Sequence, residues 1–89
     1  MSETTRSETA LDEASRLILE WSAELLEEPA TAEDNFLDLG GHSALALELN
    51  DRIKERFHVE ADMQLLFERS LGDVAASVVR AAEASAKIG

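Results

Sequence analysis

The segment "NFLDLGGHSALALELNDRIKERF", residues 35–57, contains the clearest structural signals of the sequence. Two glycines and a histidine stand before Ser43, and apolar residues then recur at steps of three or four, a period that predicts an amphipathic helix. The apolar positions of this helix are Leu45 or Ala46, Leu49, Ile53 and Phe57. Ser43 stands at the helix start, where a serine has three possible roles: helix cap, nucleophile or attachment point.

A second amphipathic helix is predicted before this stretch. Thr9 and Asp12 have the spacing of a capping box, and the apolar period then runs to Glu27 or Glu28. The following loop, residues 28–42, is long for so small a domain, and long loops are usually functional or disordered.

Apolar residues within this loop indicate that it is ordered. We expect Phe36, Leu37 and Leu39 to attach the loop to the core, because large apolar side chains are usually buried. An ordered long loop directly before Ser43 is in turn expected to be functional.

The C-terminal third of the chain predicts one short helix and one long helix. Residues 63–68 form the short helix, which Asp62 can cap, and Ser70 with Asp73 predicts a capping box for the last helix. The expected fold is all-α: a bundle of three main helices and one short helix, with a long loop between the first two. Its folded domain is expected over 9–84, between flexible tails at 1–8 and 85–89.

Charge and composition exclude several classes of function. The chain has 89 residues, no cysteine and a formal net charge of −11. The negative field disfavours nucleic acids and anionic membranes, and it favours partners that have basic patches. No signal peptide, membrane-spanning run or calcium-loop spacing occurs, so we expect a cytoplasmic protein without a metal site.

Each role for Ser43 has a physical basis. Serine is a favoured N-cap, and the glycines let the chain turn into the helix. A nucleophile elbow needs a second glycine after the serine and a strand before it, and neither is found here. A phosphate ester on Ser43 would lie at a helix N-terminus, where free N–H groups and the helix dipole favour an anion.

The stretch "DNFLDLGGHSALALELNDRIKERF" resembles the phosphopantetheine-attachment region of carrier proteins, most closely the peptidyl carriers of nonribosomal peptide synthesis. The resemblance spans about residues 11–80. The residues that match the signature are Asp34, Phe36, Leu39, Gly40, Gly41, His42 and Ser43.

This resemblance implies a function. Ser43, with Gly41 and His42 beside it, would carry a 4′-phosphopantetheine arm that a phosphopantetheinyl transferase installs from coenzyme A. The chain would then be a non-catalytic carrier that holds aminoacyl, peptidyl or acyl thioesters. Its partners would be an adenylating, loading enzyme and condensation or tailoring enzymes of a nonribosomal peptide or hybrid polyketide pathway. We expect a monomer, and the short tails favour a free-standing carrier.

Two features differ from the family pattern. Ala44 replaces the usual leucine after the serine, and "VEAD" at 59–62 lacks the usual proline. Leu47 either packs against the loop or forms an exposed docking patch with Ala44, rimmed by Glu48 and Asp51. The alternative function is an unmodified acidic helical adaptor that binds a basic partner.

Overall fold

The computed structural model describes residues 3–88, with side chains over residues 10–85. The helices are α1 over Glu3–Leu26, α2 over Ser43–Phe57, α3 over Met63–Glu68 and α4 over Leu71–Ile88. This range contains no strand, only an isolated bridge between Asn35 and Ser70. The predicted all-α fold of three main helices and one short helix is confirmed. No helix within residues 3–88 combines the length and apolarity that crossing a bilayer requires.

The start of α1 differs from the prediction. The helix begins at Glu3, so the capping box predicted at Thr9 and Asp12 lies inside the helix and does not start it. Residues 3–8 contain no Gly or Pro, so nothing in their sequence stops the helix from extending toward the N-terminus. Residues 85–88 are also helical. The flexibility of the tails at 1–8 and 85–89 stays a prediction, as does the domain boundary.

The core lies between α1, α2 and α4, and α3 packs onto α4. The helical period predicted for α2 is confirmed by Ala46, Leu49 and Ile53, which are fully buried. Half-buried Trp21 of α1 meets Phe57 edge to face, with 6.4 Å between the ring centroids. The other buried apolar residues are Ala14, Ile18, Phe36, Ala61, Leu66, Leu71, Val74, Ala75 and Val78.

The start of α3 is capped as predicted, and at α4 the Ser70 half of the predicted capping box is present. The Asp62 side chain accepts hydrogen bonds from the N–H groups of Gln64 and Leu65, at 3.0 and 3.4 Å. At α4, Ser70 Oγ accepts from the Asp73 N–H at 3.2 Å. Each of these side chains therefore satisfies N–H groups that a helix start would otherwise leave without a partner.

The C-terminal half of α2 is joined to α1 by ion pairs. Arg52 contacts Glu24 at 2.6 Å, and Arg56 pairs with Glu13. All four side chains are at least one-third exposed, so each pair adds at most about 1 kcal/mol. The helix ends at Phe57, and the C-cap residue His58 adopts a left-handed conformation at φ 63°.

Candidate functional site

The loop between α1 and α2 is attached to the core through Phe36, which is 0% exposed, and Leu39, which is half-buried. The expectation that Leu37 also anchors the loop is wrong, since its side chain is 44% exposed. Consecutive side chains in a turn point in different directions, so the turn that buries Phe36 directs Leu37 toward solvent. An apolar side chain is thus exposed a few residues before Ser43.

A helix-ending motif in this loop explains Gly40. The Gly41 N–H donates to Phe36 O, and the Gly40 N–H donates to Leu37 O, both at 3.0 Å. Gly40 has a φ of +103°. This pair of bonds around a residue of positive φ is the Schellman motif, in which glycine is favoured because it has no Cβ.

Gly41 is needed for a different reason, the closeness of the Phe36 ring. A Cβ at position 41 would lie 2.7 Å from Phe36 O and closer still to two atoms of the ring. Gly40 therefore supplies a backbone conformation, and Gly41 supplies space. Together they turn the chain so that it enters α2 directly beyond a buried aromatic ring.

Ser43 is not the cap of α2. The N-cap is His42, in an extended conformation at φ −147° and ψ −179°, and its side chain makes no capping hydrogen bond. Ser43 is the first helical residue and is exposed. The cap role considered for this serine is wrong, because the turn at Gly40 and Gly41 places His42 at the extended position that precedes the helix.

The start of α2 has free hydrogen-bond donors. The Ala46 N–H donates to His42 O at 2.8 Å, which closes the first turn. Within the described part of the chain, the N–H groups of Ser43, Ala44 and Leu45 have no acceptor. The first turn also contains no acidic residue. The positive end of the helix dipole therefore coincides with an exposed hydroxyl, an arrangement that fits a covalently attached phosphate.

The surface beside Ser43 does not have the groups of a hydrolase. An open groove of about 410 Å³ is lined by Leu37, Gly41, His42, Ser43 and Phe67. These residues include one imidazole and no carboxylate, so no second group lies there to orient His42 as a base. Among the described residues, no three His, Asp or Glu side chains are grouped closely enough to hold a metal ion.

The residues predicted to bind partners are all exposed. Leu47 is 57% exposed, so the hypothesis that it packs against the loop is wrong. Ala44, Glu48 and Asp51 are exposed along the same helix. Their role in partner binding stays a prediction.

The role of Asn35 was not predicted from the sequence. Its side chain bonds to the backbone of its own loop and to carbonyl groups at the end of α3. An asparagine in a loop indicates a local turn. Its distant partners, Phe67 and Arg69, are 32 and 34 residues away, and no local pattern could identify them.

Comparison with known proteins agrees with this geometry. A family described as "Phosphopantetheine attachment site" matches residues 15–78. Cyclosporin synthetase simA of Tolypocladium inflatum is 46% identical over 48 residues, 53% of this chain. Tyrocidine synthase 2 of Brevibacillus parabrevis is 32% identical over 71 residues, 80% of this chain. The nonribosomal peptide synthetase kk1B of Curvularia clavata is 37% identical over 70 residues, 78% of this chain.

These relatives are far longer than the chain, which spans at most 2% of their length. No solved structure matches the chain significantly. The matched family carries 4′-phosphopantetheine covalently on a serine. Since the match covers well over half of the 89 residues, the chain belongs to the phosphopantetheine attachment site family.

Proposed function

We propose that the chain is a peptidyl carrier protein that holds aminoacyl, peptidyl or other acyl intermediates of nonribosomal peptide synthesis on an arm at Ser43. The observation that carries the proposal is the start of α2, where an exposed serine hydroxyl lies among free N–H groups. The attached arm supplies a terminal thiol that holds the intermediate as a thioester. The chain itself presents the arm and performs no chemistry.

The other serines of the matched region are less suited to attachment. Ser22 is fully buried, and the Ser70 hydroxyl caps α4. Ser15 and Ser77 are half-buried within helices. Among the serines of residues 15–78, Ser43 alone is exposed. A transferase needs access to the hydroxyl, so this comparison supports Ser43 as the attachment point.

The surface around Ser43 suits docking by several enzymes in turn. Leu37 and Leu47 are exposed apolar side chains near the serine, and Ala44 lies between Ser43 and Leu47 on the exposed side of α2. A small apolar patch with a polar rim is typical of transient interfaces. We assign this patch to the docking of a phosphopantetheinyl transferase, an adenylating, loading enzyme, and condensation or tailoring enzymes.

Acidic residues complete this docking surface. Glu48 and Asp51 are exposed on α2, and the whole chain has a net charge of −11. Such a field accelerates encounters with basic partner surfaces and weakens as salt is added. The proposal places a monomeric carrier in the cytoplasm, where coenzyme A is available, and it places exposed His42 beside the attached phosphate.

The experiment is attachment from coenzyme A by a broad-specificity phosphopantetheinyl transferase, followed by intact mass measurement. Wild-type protein is expected to gain the mass of one arm, and Ser43→Ala is expected to gain none. Ser70→Ala is the matched control, because it also removes a serine from a helix start. This control is expected to be modified as the wild type is.

The other outcomes identify the alternatives. Wild-type protein that gains no mass with several transferases, yet binds a basic partner protein, supports the acidic adaptor. Hydrolysis of an ester substrate by unmodified protein, lost in Ser43→Ala, supports a hydrolase. A mass gain that persists in Ser43→Ala shows that the arm is attached elsewhere.

A further inference from the structure

Asn35 makes more side-chain hydrogen bonds than any other described residue of the loop. Its Oδ1 accepts from the N–H groups of Leu37 and Asp38, at 2.9 and 3.2 Å. Its Nδ2 donates to the carbonyl oxygens of Phe67 and Arg69, at 3.2 and 2.7 Å. A primary amide has two donor hydrogens and two acceptor lone pairs, so this side chain is fully used.

The two carbonyl partners lie at the end of α3. The last carbonyls of a helix have no partner within the helix, and α3 has only six residues, too few to be stable alone. The Asn35 amide therefore stabilises α3 from outside. Phe67 also lines the groove beside Ser43, so Asn35 is bonded to a residue that borders the proposed attachment point.

The two N–H partners lie in the turn that leads to Ser43. The oxygen of Asn35 holds Leu37 and Asp38 at the beginning of the turn in which Phe36 is buried. That turn continues through Gly41 to the N-cap of α2. One side chain thus joins the end of α3 to the backbone that sets the direction of the α2 start.

We infer that Asn35 is a positioning residue, which couples the placement of α3 to the presentation of Ser43. The inference rests on the proposed attachment at Ser43. If the end of α3 moves, either the hydrogen bonds of the Asn35 amide break or the loop moves with α3. A partner that displaces α3 therefore also alters access to Ser43. Hydrogen-bond networks can carry coupling between two elements, and the Asn35 amide forms such a network between α3 and the loop.

Asn35→Asp separates the two halves of this connection. A carboxylate still accepts from the N–H groups of Leu37 and Asp38, but it has no hydrogen to donate to α3. Its charge also faces the carbonyl oxygens of Phe67 and Arg69 and repels them. The turn is expected to remain while the link to α3 is lost.

Asn50→Asp is the matched control. Asn50 lies on α2, and its Oδ1 accepts from the Ala61 N–H at 2.7 Å. A carboxylate preserves that bond and adds the same single charge to the chain. Any difference between the two variants therefore reports the lost donation to α3 together with the repulsion that replaces it. One more negative charge on the chain does not explain it.

Modification rates and amide spectra test the inference at a temperature where all variants are folded. We expect Asn35→Asp to be modified roughly tenfold more slowly than wild type, and Asn50→Asp to stay within about twofold. NMR amide signals of Gly41 to Ser43 are expected to shift in Asn35→Asp, while those of central α1 stay in place. A wild-type rate and unchanged signals in folded Asn35→Asp overturn the inference.

A double-mutant cycle tests the coupling directly. Asp62→Ala removes the cap of α3 and is expected to slow modification when Asn35 is present. It is expected to add little to the defect of Asn35→Asp, because the link is already broken. Independent, multiplicative effects on the rate contradict the coupling.

Two further controls keep the test decisive. If Asn35→Ser is needed because Asn35→Asp does not fold, it serves the same purpose: it is neutral, and its single O–H on a shorter side chain cannot reproduce the two donations to α3. If wild-type protein gains no mass, the proposed function fails, but the amide signals still test the link. In that case, signals of Gly41 to Ser43 that do not change in the variant contradict the inference, and signals that shift support it.

Discussion

The starts of α2 and α4 contain a serine each and are built in opposite ways. At α4, the N–H groups of Leu71 and Gly72 donate to backbone carbonyls of the loop, at 2.8 and 2.9 Å. The Asp73 N–H donates to Ser70 Oγ at 3.2 Å. At α2, the corresponding N–H groups have no acceptor among the described residues, and the Ser43 hydroxyl makes no hydrogen bond to them.

The two helix starts thus distinguish a structural serine, Ser70, from an available one, Ser43. Ser70 uses its hydroxyl to close a helix start that the loop has already covered. Ser43 leaves both its hydroxyl and the neighbouring donors available at the surface. A helix start without a cap lowers stability slightly, and an attached phosphate can supply the missing acceptor.

The largest expected effect on stability comes from removing the Phe36 ring, against which Gly41 packs just before α2. Phe36→Ala is expected to lower the free energy of unfolding by about 3–5 kcal/mol, because it empties a fully buried site. Chemical denaturation measures the change. Leu37→Ala is the control, since that side chain is 44% exposed, and its effect should stay within about 0.5 kcal/mol. Similar losses in the two variants would contradict the assignment of Phe36 as the anchor.

The next effect separates the two glycines. Gly41→Ala is expected to lower the unfolding free energy by about 1–3 kcal/mol, because the new Cβ overlaps the Phe36 ring. The smaller side chain of Phe36→Leu should relieve part of this loss. The same change should not relieve Gly40→Ala, where the positive φ is the cause. Equal relief at both positions, measured by denaturation of the double variants, would argue against these separate roles.

A smaller effect compares the two serines directly. Ser70→Ala removes a capping bond and is expected to lower the unfolding free energy by about 1 kcal/mol. Ser43→Ala removes no such bond and should change it by less than about 0.5 kcal/mol. Thermal unfolding of both variants measures the contrast. A greater loss for Ser43→Ala than for Ser70→Ala would mean that Ser43 has a structural role.

The smallest expected effect comes from adding the missing cap. His42→Asp places a carboxylate at the N-cap of α2, where the extended backbone suits capping. The variant should be more stable by about 0.5–1 kcal/mol, and it should be modified more slowly because the carboxylate occupies the free donors. Denaturation and the rate of mass gain measure the two changes. A less stable protein that is modified at the wild-type rate would show that these donors are not available.

The number of helices and the buried face of α2 could be predicted from the sequence, whereas the start of α1 at Glu3 was not. The apolar period of α2 identified Ala46, Leu49 and Ile53, and the caps at Asp62 and Ser70 were correct. Periodicity and capping are local properties, so one sequence is enough to show them.

The details of the site depended on contacts that a local pattern does not contain. Whether His42 or Ser43 is the N-cap of α2 is a difference of one position along the chain, and the turn at Gly40 determines it. Leu37 and Phe36 are equally apolar in the sequence, and only the direction of the turn distinguishes them. The link from Asn35 to α3 joins residues more than thirty positions apart, so only the folded structure shows it.

The most direct test of the account is an amide NMR spectrum before and after attachment of the arm. We expect the N–H signals of Ser43, Ala44 and Leu45 to move downfield, because the phosphate accepts from donors that were free. Signals of Leu71 and Gly72, whose donors are already bonded, should stay in place. Unchanged signals at the α2 start, or an arm located by fragmentation on another residue, would contradict the central claim.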